Sequence, residues 1–267
     1  MADIKLATWN INSVRLRINL VEEFLQAHQP DVLCLQEIKA QNSDFPWEAF
    51  KDMGYPHMAV NGQKGYHGVA TVARIPMEEI EQKEFCGKGD SRHVSVRVGD
   101  DIEVHNFYVP AGGDIADAEK NEKFQHKMDF LSEVTSWYGK RRNKKKNKLV
   151  LVGDLNIAPL EHDVWDHKKL RKVVSHTPIE VEAMDAWFKS HNFYDPIRDQ
   201  RPEPEKIYTW WSYRAKDWDG ADKGRRLDHI WVSQALKGRV GTVDVIREAR
   251  GWERPSDHAP VLTTIAE

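Results

Sequence analysis

The 267-residue sequence predicts an α/β fold in which two packed β-sheets carry helices on their outer faces, and three observations lead there. Short apolar runs of strand length alternate with longer segments whose apolar residues repeat at the helical period. Legible strands outnumber legible helices, a ratio that suits sheet packed on sheet with helices outside. No Pro/Gly/Ser-rich linker and no short-period repeat divides the chain, so residues 1–267 are expected to form one compact unit.

The first apolar run, Ile4–Asn10, is a strand pattern leading to a helix marked by Val14, Ile18, Val21 and Leu25. Pro30 stops that helix, and Asp31-Val-Leu-Cys-Leu-Gln-Glu37 reads as a buried strand ending on a carboxylate. Residues 104–108 form the next clear strand. Phe124, Met128, Leu131, Thr135 and Tyr138 then mark a long helix, and Leu149-Val-Leu-Val152 is a strand running into Gly153 and Asp154. Thr177-Pro178-Ile179-Glu180 combines a Thr cap, Pro at the first helical position and Glu three residues after the cap, which predicts a helix to about Ser190. Strands over 227–232 and 260–265 complete the pattern.

Composition narrows the class. The sequence is 40% hydrophobic and 30% charged, enough for a real core. It has no stretch approaching the roughly 18 consecutive apolar residues of a membrane span. MADIKLATWN lacks a secretory pattern, and Cys34 and Cys86 form neither a C-x-x-C pair nor a disulfide framework, so a soluble cytoplasmic protein is expected. With a net charge of −3 there is no global attraction to nucleic acid, and any such contact must come from a locally basic face. Ten tryptophans exceed what the core needs, and some are expected as exposed stacking surfaces, with burial the default for any one of them.

The central observation is where the polar residues fall. Asn10, Glu37, Tyr108 and Asp154 each lie at or just past the C-terminal end of an apolar run, whereas Asp228 and the Asp257-His258 pair stand at the start of one. If the last two strands run antiparallel to their neighbours, all seven groups share one rim. Several carboxylates in one cleft repel each other unless a cation joins them, which implies a hard metal such as Mg2+, with Mn2+ able to substitute, bound through oxygen. Zinc would want Cys and more His. Phosphodiester hydrolysis needs an oriented water, neutralised phosphoryl oxygens and a stabilised leaving alkoxide, and carboxylate, cation and imidazole supply these. His258 beside Asp257, with Asp228 on another strand, lets a carboxylate fix the imidazole tautomer and favour its cation.

The strings TWNINSVR (8–15), DVLCLQEIK (31–39), FYVP (107–110), LVGDLNIAP (151–159), YTWWSYR (208–214), RRLDHIWVS (225–233) and PSDHAPV (255–261) resemble, in order and from end to end, the signatures of the exonuclease III family of apurinic/apyrimidinic endonucleases. The resemblance implies a four-layer α/β/β/α sandwich, two mixed sheets flanked by helices, with the active site on one rim. It implies a catalytic set of Asp154, which positions or deprotonates water, Asn156, which holds the phosphate, Tyr108, which contacts it, and the pair His258 and Asp228, which stabilises the phosphoryl group. It places a divalent metal at Glu37 with Asn10, with Asp257 near the metal or orienting, and offers a second ion position among Asp154, Asn156 and His258. The implied reaction is incision of duplex DNA 5' to abasic sites leaving a 3'-hydroxyl, with 3'-to-5' exonuclease or 3'-end-cleaning activity. The implied protein is a monomer, associated with the nucleoid when acting.

The DNA footprint is expected in YTWWSYRAKDWDGADKGRR, which interleaves Trp210, Tyr213 and Trp218 with Arg214, Lys216 and Arg225, together with Tyr66. Aromatic faces stack on bases or sugar and cations meet phosphates. By resemblance Trp210 is the aromatic wall of the abasic-sugar pocket. Ala111 and Asp114 follow FYVP where relatives carry an amide and, in one branch, an arginine. Asn12 replaces an aspartate, and Arg225 replaces an apolar pocket residue. Two other readings compete: the same hydrolytic core acting on a non-DNA phosphoester, and a DNA-binding relative without catalysis. The basic run 140–148 precedes the strand that Asp154 ends, so it is expected at the opposite rim, away from the DNA.

Overall fold

A computed structural model describes residues 3–141 and 144–267. One sheet has six strands, β1 (Ile4–Asn10), β2 (Val32–Gln36), β3 (His57–Asn61), β4 (Val69–Ala73), β12 (Asp244–Val245) and β13 (Val261–Ile265), in the order β12-β13-β1-β2-β4-β3. The other has five, β5 (Met77–Glu81), β6 (His93–Val98), β7 (Ile102–Tyr108), β8 (Leu149–Asp154) and β11 (Asp228–Val232), in the order β11-β8-β7-β6-β5. A two-stranded ribbon, β9 (Trp210–Trp211) with β10 (Gly224–Arg225), stands beside them. Both large sheets are mixed: β1 runs parallel to β2, β7 parallel to β8, and the other pairs are antiparallel.

The strands read as near-continuous apolar runs because both faces are covered. In β1, Ile4 and Leu6 point to the layer between the sheets while Ala7 and Trp9 point outward. In β8, Val150 and Val152 point inward while Leu149 and Leu151 point outward. The outer face of the first sheet packs against Val21, Phe24 and Leu25 of α1 (Ile18–His28) and Phe50 of α2 (Trp47–Asp52). The outer face of the second meets α3 (Glu122–Lys140) and, beyond the short α4 (His167–Leu170), α5 (Pro178–Ser190), through Phe130, Leu131, Met184 and Trp187. These are the four layers. Two further short helices, α6 (Pro196–Gln200) and α7 (Trp218–Ala221), sit on connections.

The first helix starts later than the apolar period suggests. Asn12 and Ser13 take positive φ (48° and 85°), and the Val14 amide donates to the Ile38 carbonyl at 3.0 Å, so Val14 is buried in a turn and the helix begins at Ile18. Its end follows expectation: Gln29 is left-handed, its amide bonds the Leu25 carbonyl, and Pro30 follows. Strand β8 runs two residues past Val152 to include Asp154. The tryptophans differ from expectation: none of the ten is exposed, and Trp9, Trp187 and Trp211 are fully buried. A large ring gains more from partial burial than from hydration of its face, so the expected stacking surfaces exist only as half-buried edges. No helix among the described residues is long and apolar enough to cross a membrane.

Between the sheets one polar stitch fixes their relative height. The Gln36 amide donates to Asn106 Oδ1 at 2.7 Å and to Thr8 Oγ1 at 2.9 Å, and Asn106 Nδ2 donates to the carbonyls of Leu35 and Ala70. All these groups are buried, and the two amide nitrogens reach acceptors while Gln36 Oε1 has no partner among the described residues, so the stitch specifies register between β2 and β7 at the cost of one unpaired acceptor. It lies one residue below Glu37 and two below Tyr108.

Candidate active site

Strand register brings the predicted polar ends together. Asp228 opens β11 directly opposite Asp154, and Tyr108 at the end of β7 lies beside the same Asp154. In the other sheet Asn10 pairs with Gln36, which places Glu37 next to it. Antiparallel β13 brings its N-terminal side to this rim, preceded by Asp257 and His258. The Ser256 hydroxyl donates to the Asn10 carbonyl at 2.6 Å, and the Trp9 indole donates to the His258 carbonyl at 3.0 Å, pinning the His258 segment to β1.

Hydrogen bonds and one ion contact link the groups into one chain. Asn10 Nδ2 donates to Asp154 Oδ2 at 2.8 Å and to Glu37 Oε2 at 3.1 Å, bridging the two sheets. The Asn156 backbone amide donates to Asp154 Oδ1 at 2.9 Å, and its side-chain amide donates to Asp154 Oδ2 and to the Val109 carbonyl. His258 Nδ1 bonds Asp228 Oδ2 at 2.8 Å, and its Nε2 faces Asp154 Oδ2 at 3.7 Å. The Thr209 hydroxyl donates to the same Asp228 oxygen at 2.6 Å and accepts from the Asp228 amide. Asp257 accepts from the Trp210 indole at 2.9 Å and from Asn12 Nδ2 at 3.2 Å.

Burial sets the charge states. Asp154 is pushed upward by loss of solvent and further by the Asp228 charge, against the pull of the His258 cation. Burial would depress His258, but the carboxylates of Asp228 and Asp154 outweigh it and hold the imidazole in its cationic form. Burial raises the Tyr108 phenol well above its usual range, and the charges of Glu37 and Asp154 push it the same way, so it stays a neutral donor.

The residues fit a divalent ion. Ligand atoms of Asp154, Asp228 and His258 all lie within 4.8 Å of one another, and Asp228 Oδ1 is buried with no hydrogen-bond partner among the described residues, an acceptor that an ion would satisfy. On the other side Glu37 is matched by Lys39, whose ammonium lies 2.9 Å away and donates to Asn12 Oδ1 at 2.6 Å. The Asn10 oxygen accepts from the Asn12 amide, so its donor nitrogen faces the carboxylates. For Asn10 to hold an ion through oxygen its amide must turn over.

A cavity of about 940 Å3 opens above this chain, with Trp210, Arg225, Leu227, Val174 and Trp165 on its far wall. Arg225 lies over the Trp210 ring at 5.2 Å and donates to the Val174 carbonyl and Ser175 hydroxyl, leaving its buried Nε without a partner among the described residues. Arg214 and Lys216 stand at the mouth, as do Ala111 and Asp114. The other expected DNA contacts lie outside it. Tyr213 is exposed and donates to the Pro255 carbonyl, while Trp218 packs under Arg247 and Arg250. Tyr66, 76% exposed, borders an adjoining cavity that shares Glu37 and Tyr108.

Sequence reasoning missed Lys39, Thr209 and Ser256. The one signal for Lys39 was its position two residues after a strand-terminal carboxylate. Positive φ at Asn12 (48°), Glu37 (50°), Lys39 (50°) and Asn156 (54°) marks the same rim, since strain in non-glycine residues gathers where structure holds functional groups in place.

The Endonuclease/Exonuclease/phosphatase family pattern matches residues 7–258. The chain is 31% identical over 268 aligned positions to exodeoxyribonuclease III of Haemophilus influenzae, covering 97% of this chain and 98% of that one. Its structure is similar to the 3' phosphatase NExo from Neisseria, solved with a product DNA hairpin (TM-score 0.90, 32% identity, 99% and 100% of the two chains). It is equally similar to an AP endonuclease from Archaeoglobus fulgidus (TM-score 0.90, 31% identity, 98% and 99% covered). With strand-end chemistry, four-layer architecture and full-length similarity in agreement, the chain belongs to the endonuclease/exonuclease/phosphatase family, among its exonuclease III and AP endonuclease relatives.

Proposed function

We propose that the protein is a Mg2+-dependent DNA repair phosphodiesterase, with Mn2+ able to substitute, that incises duplex DNA 5' to abasic sites and removes blocking groups from 3' ends. The observation that carries this reading is the continuous chain Glu37–Asn10–Asp154–His258–Asp228, built from strand ends of both sheets at the floor of one open cavity. Asp154, supported by the Asn156 amide and raised toward neutrality by burial, is placed to orient a water and take its proton. His258, held cationic and fixed through Nδ1, presents Nε2 to the phosphoryl oxygens. The Tyr108 phenol adds a neutral donor to the same group, and the Asn156 amide would add another on releasing its longer bond, 3.2 Å, to Asp154. The carboxylates Asp154 and Asp228, and Glu37 with Asp257 and Asn10, are the residues that would hold metal, and His258 could join them only after losing its Nε2 proton. A bound divalent ion supplies charge neutralisation at the phosphoryl group and stabilises the departing alkoxide.

The far wall of the cavity supports the DNA part of the reading. Trp210 offers an aromatic edge to a sugar, and Arg214, Lys216 and Arg225 offer cations to phosphates. Whole-chain similarity both to a 3' phosphatase and to an AP endonuclease supports a substrate range spanning 3' ends and abasic sites. The test is a side-by-side assay on abasic duplex, intact duplex, 3'-phosphorylated duplex and an inositol phosphate. The missing base removes a few kcal/mol of stacking and pairing cost, so abasic duplex should be cut far faster than intact duplex. Equal cutting of those two removes the abasic part of the proposal, and preference for the inositol phosphate removes DNA altogether.

A further inference from the structure

Helix α3 carries a lysine on its apolar stripe. Lys127 lies between Phe124 and Leu131, is wholly buried, and pairs with the equally buried Glu180 at 2.5 Å. A buried pair is costly to desolvate and is often replaceable by apolar residues, so one that makes further specific bonds calls for a reason. The ammonium has three donors, and all three are used: Glu180 Oε1, the Asn156 carbonyl at 2.8 Å and the Ala111 carbonyl at 3.4 Å. Glu180 in turn accepts from the Ser175 amide, the Thr177 amide and the Thr177 hydroxyl. Gly112 leaves room for the lysine stem, since a Cβ there would meet Lys127 Cδ at 3.0 Å.

We propose that Lys127 and Glu180 are positioning residues that act on the reaction through Asn156. Asn156 is left-handed at φ 54°, its amide is bound by Asp154, and its carbonyl is bound by Lys127, so the strained residue is clamped at both ends. The clamp aims its side chain at Asp154 and the cavity. The same cation grips Ala111, on the loop that follows Tyr108, so one buried charge sets the spacing between the two loops that follow β7 and β8. Through Ser175, whose hydroxyl accepts from Arg225, the network also reaches the far wall of the cavity. A shift of about 1 Å in a group that contacts the reacting phosphate can cost about 100-fold in rate.

The inference rests on the proposed hydrolase, and a double-mutant cycle with Asn156 separates the two. The double variant Lys127→Met/Glu180→Gln removes both charges while keeping an amide oxygen for Ser175 and Thr177. With folding checked by melting, it should lower kcat on abasic duplex about 10- to 100-fold while KM moves less than about threefold. In an Asn156→Ala background the same two changes should lower kcat by less than about threefold, because the residue they act through is gone. If the double variant does not fold, the isosteric Glu180→Gln alone should lower kcat a few-fold at unchanged KM. Unchanged kcat in a folded variant, or an equal loss with and without the Asn156 side chain, overturns the positioning role. An inactive wild-type protein would instead overturn the hydrolase reading.

Discussion

At the scale of single residues, the proposed function separates groups that hold charge from groups that move protons. Glu37 is matched by Lys39 and bridged to Asp154 through Asn10, whereas Asp154 and His258 face each other across 3.7 Å. Glu37→Ala should therefore weaken the response to metal, with turnover restored in part as magnesium is raised. Asp154→Asn or His258→Ala should lower kcat about 100-fold or more at any magnesium concentration, the usual cost of removing a preorganised charge. Magnesium titrations of the three variants check this, and near-normal turnover for all three at high magnesium would contradict the division of roles. The residues at strand ends were legible because an apolar run that stops on a carboxylate or amide is visible without coordinates. Lys39 and Asn12 were less so, since their meeting depends on left-handed turns. Lys127 did leave a trace, as a lysine on the buried stripe Phe124, Leu131, Val134, Tyr138, three residues after Phe124.

At the scale of elements, each strand that reaches the candidate site has a site end and a structural end. The structural end of β7 carries Glu103, which accepts from Arg141 and bonds His105, both at 2.6 Å. Burial acts to raise the Glu103 carboxyl, but hydrogen bonds from His105 and Arg141 outweigh it and draw it down to about 2. A depressed carboxyl contributes stability that is present above its unfolded value of 4.5 and is lost as pH falls through about 2. Glu103→Gln should thus cost about 1–3 kcal/mol near neutral pH, with the gap to wild type closing between pH 4.5 and 2. Denaturant melts at several pH values check it, and a gap that stays constant with pH would exclude the ion pair as its cause.

The basic connection between α3 and β8 belongs to that same end. Lys148 donates to the Asp100 carbonyl in the β6–β7 turn and Lys144 to the Ser190 carbonyl at the end of α5, while Arg142 and Asn143 lie outside the described residues. Replacing Lys140, Lys144, Lys145, Lys146 and Lys148 by alanine should leave the salt dependence of DNA affinity nearly unchanged. Every DNA phosphate that one of these lysines neutralises would add about 0.9 to the log-log slope, so a slope that falls by about two or more on their removal would place this loop on the DNA. That placement was legible because strand direction alone separates the run from Asp154. The onset of α1 was not, because the apolar period continues through Val14 although its amide is already bonded to Ile38.

At the scale of the whole molecule, the two sheets are what make the site. Neither alone carries a full set: β1 and β2 bring Asn10 and Glu37, and β7, β8 and β11 bring Tyr108, Asp154 and Asp228. The Gln36–Asn106 stitch and the Asn10–Asp154 bond hold the two halves in register. The layer order was legible from strand and helix counts, whereas the ribbon of β9 and β10 was not, because two-residue strands leave no period to read. The most direct test of a metal-assisted hydrolytic centre is incision of an abasic duplex by the intact protein, first in magnesium, then in EDTA, then with magnesium restored. Cutting that appears, disappears and returns, and that Asp154→Asn abolishes in magnesium, is the predicted result. Cutting that persists in EDTA, or that survives Asp154→Asn unchanged, would contradict it.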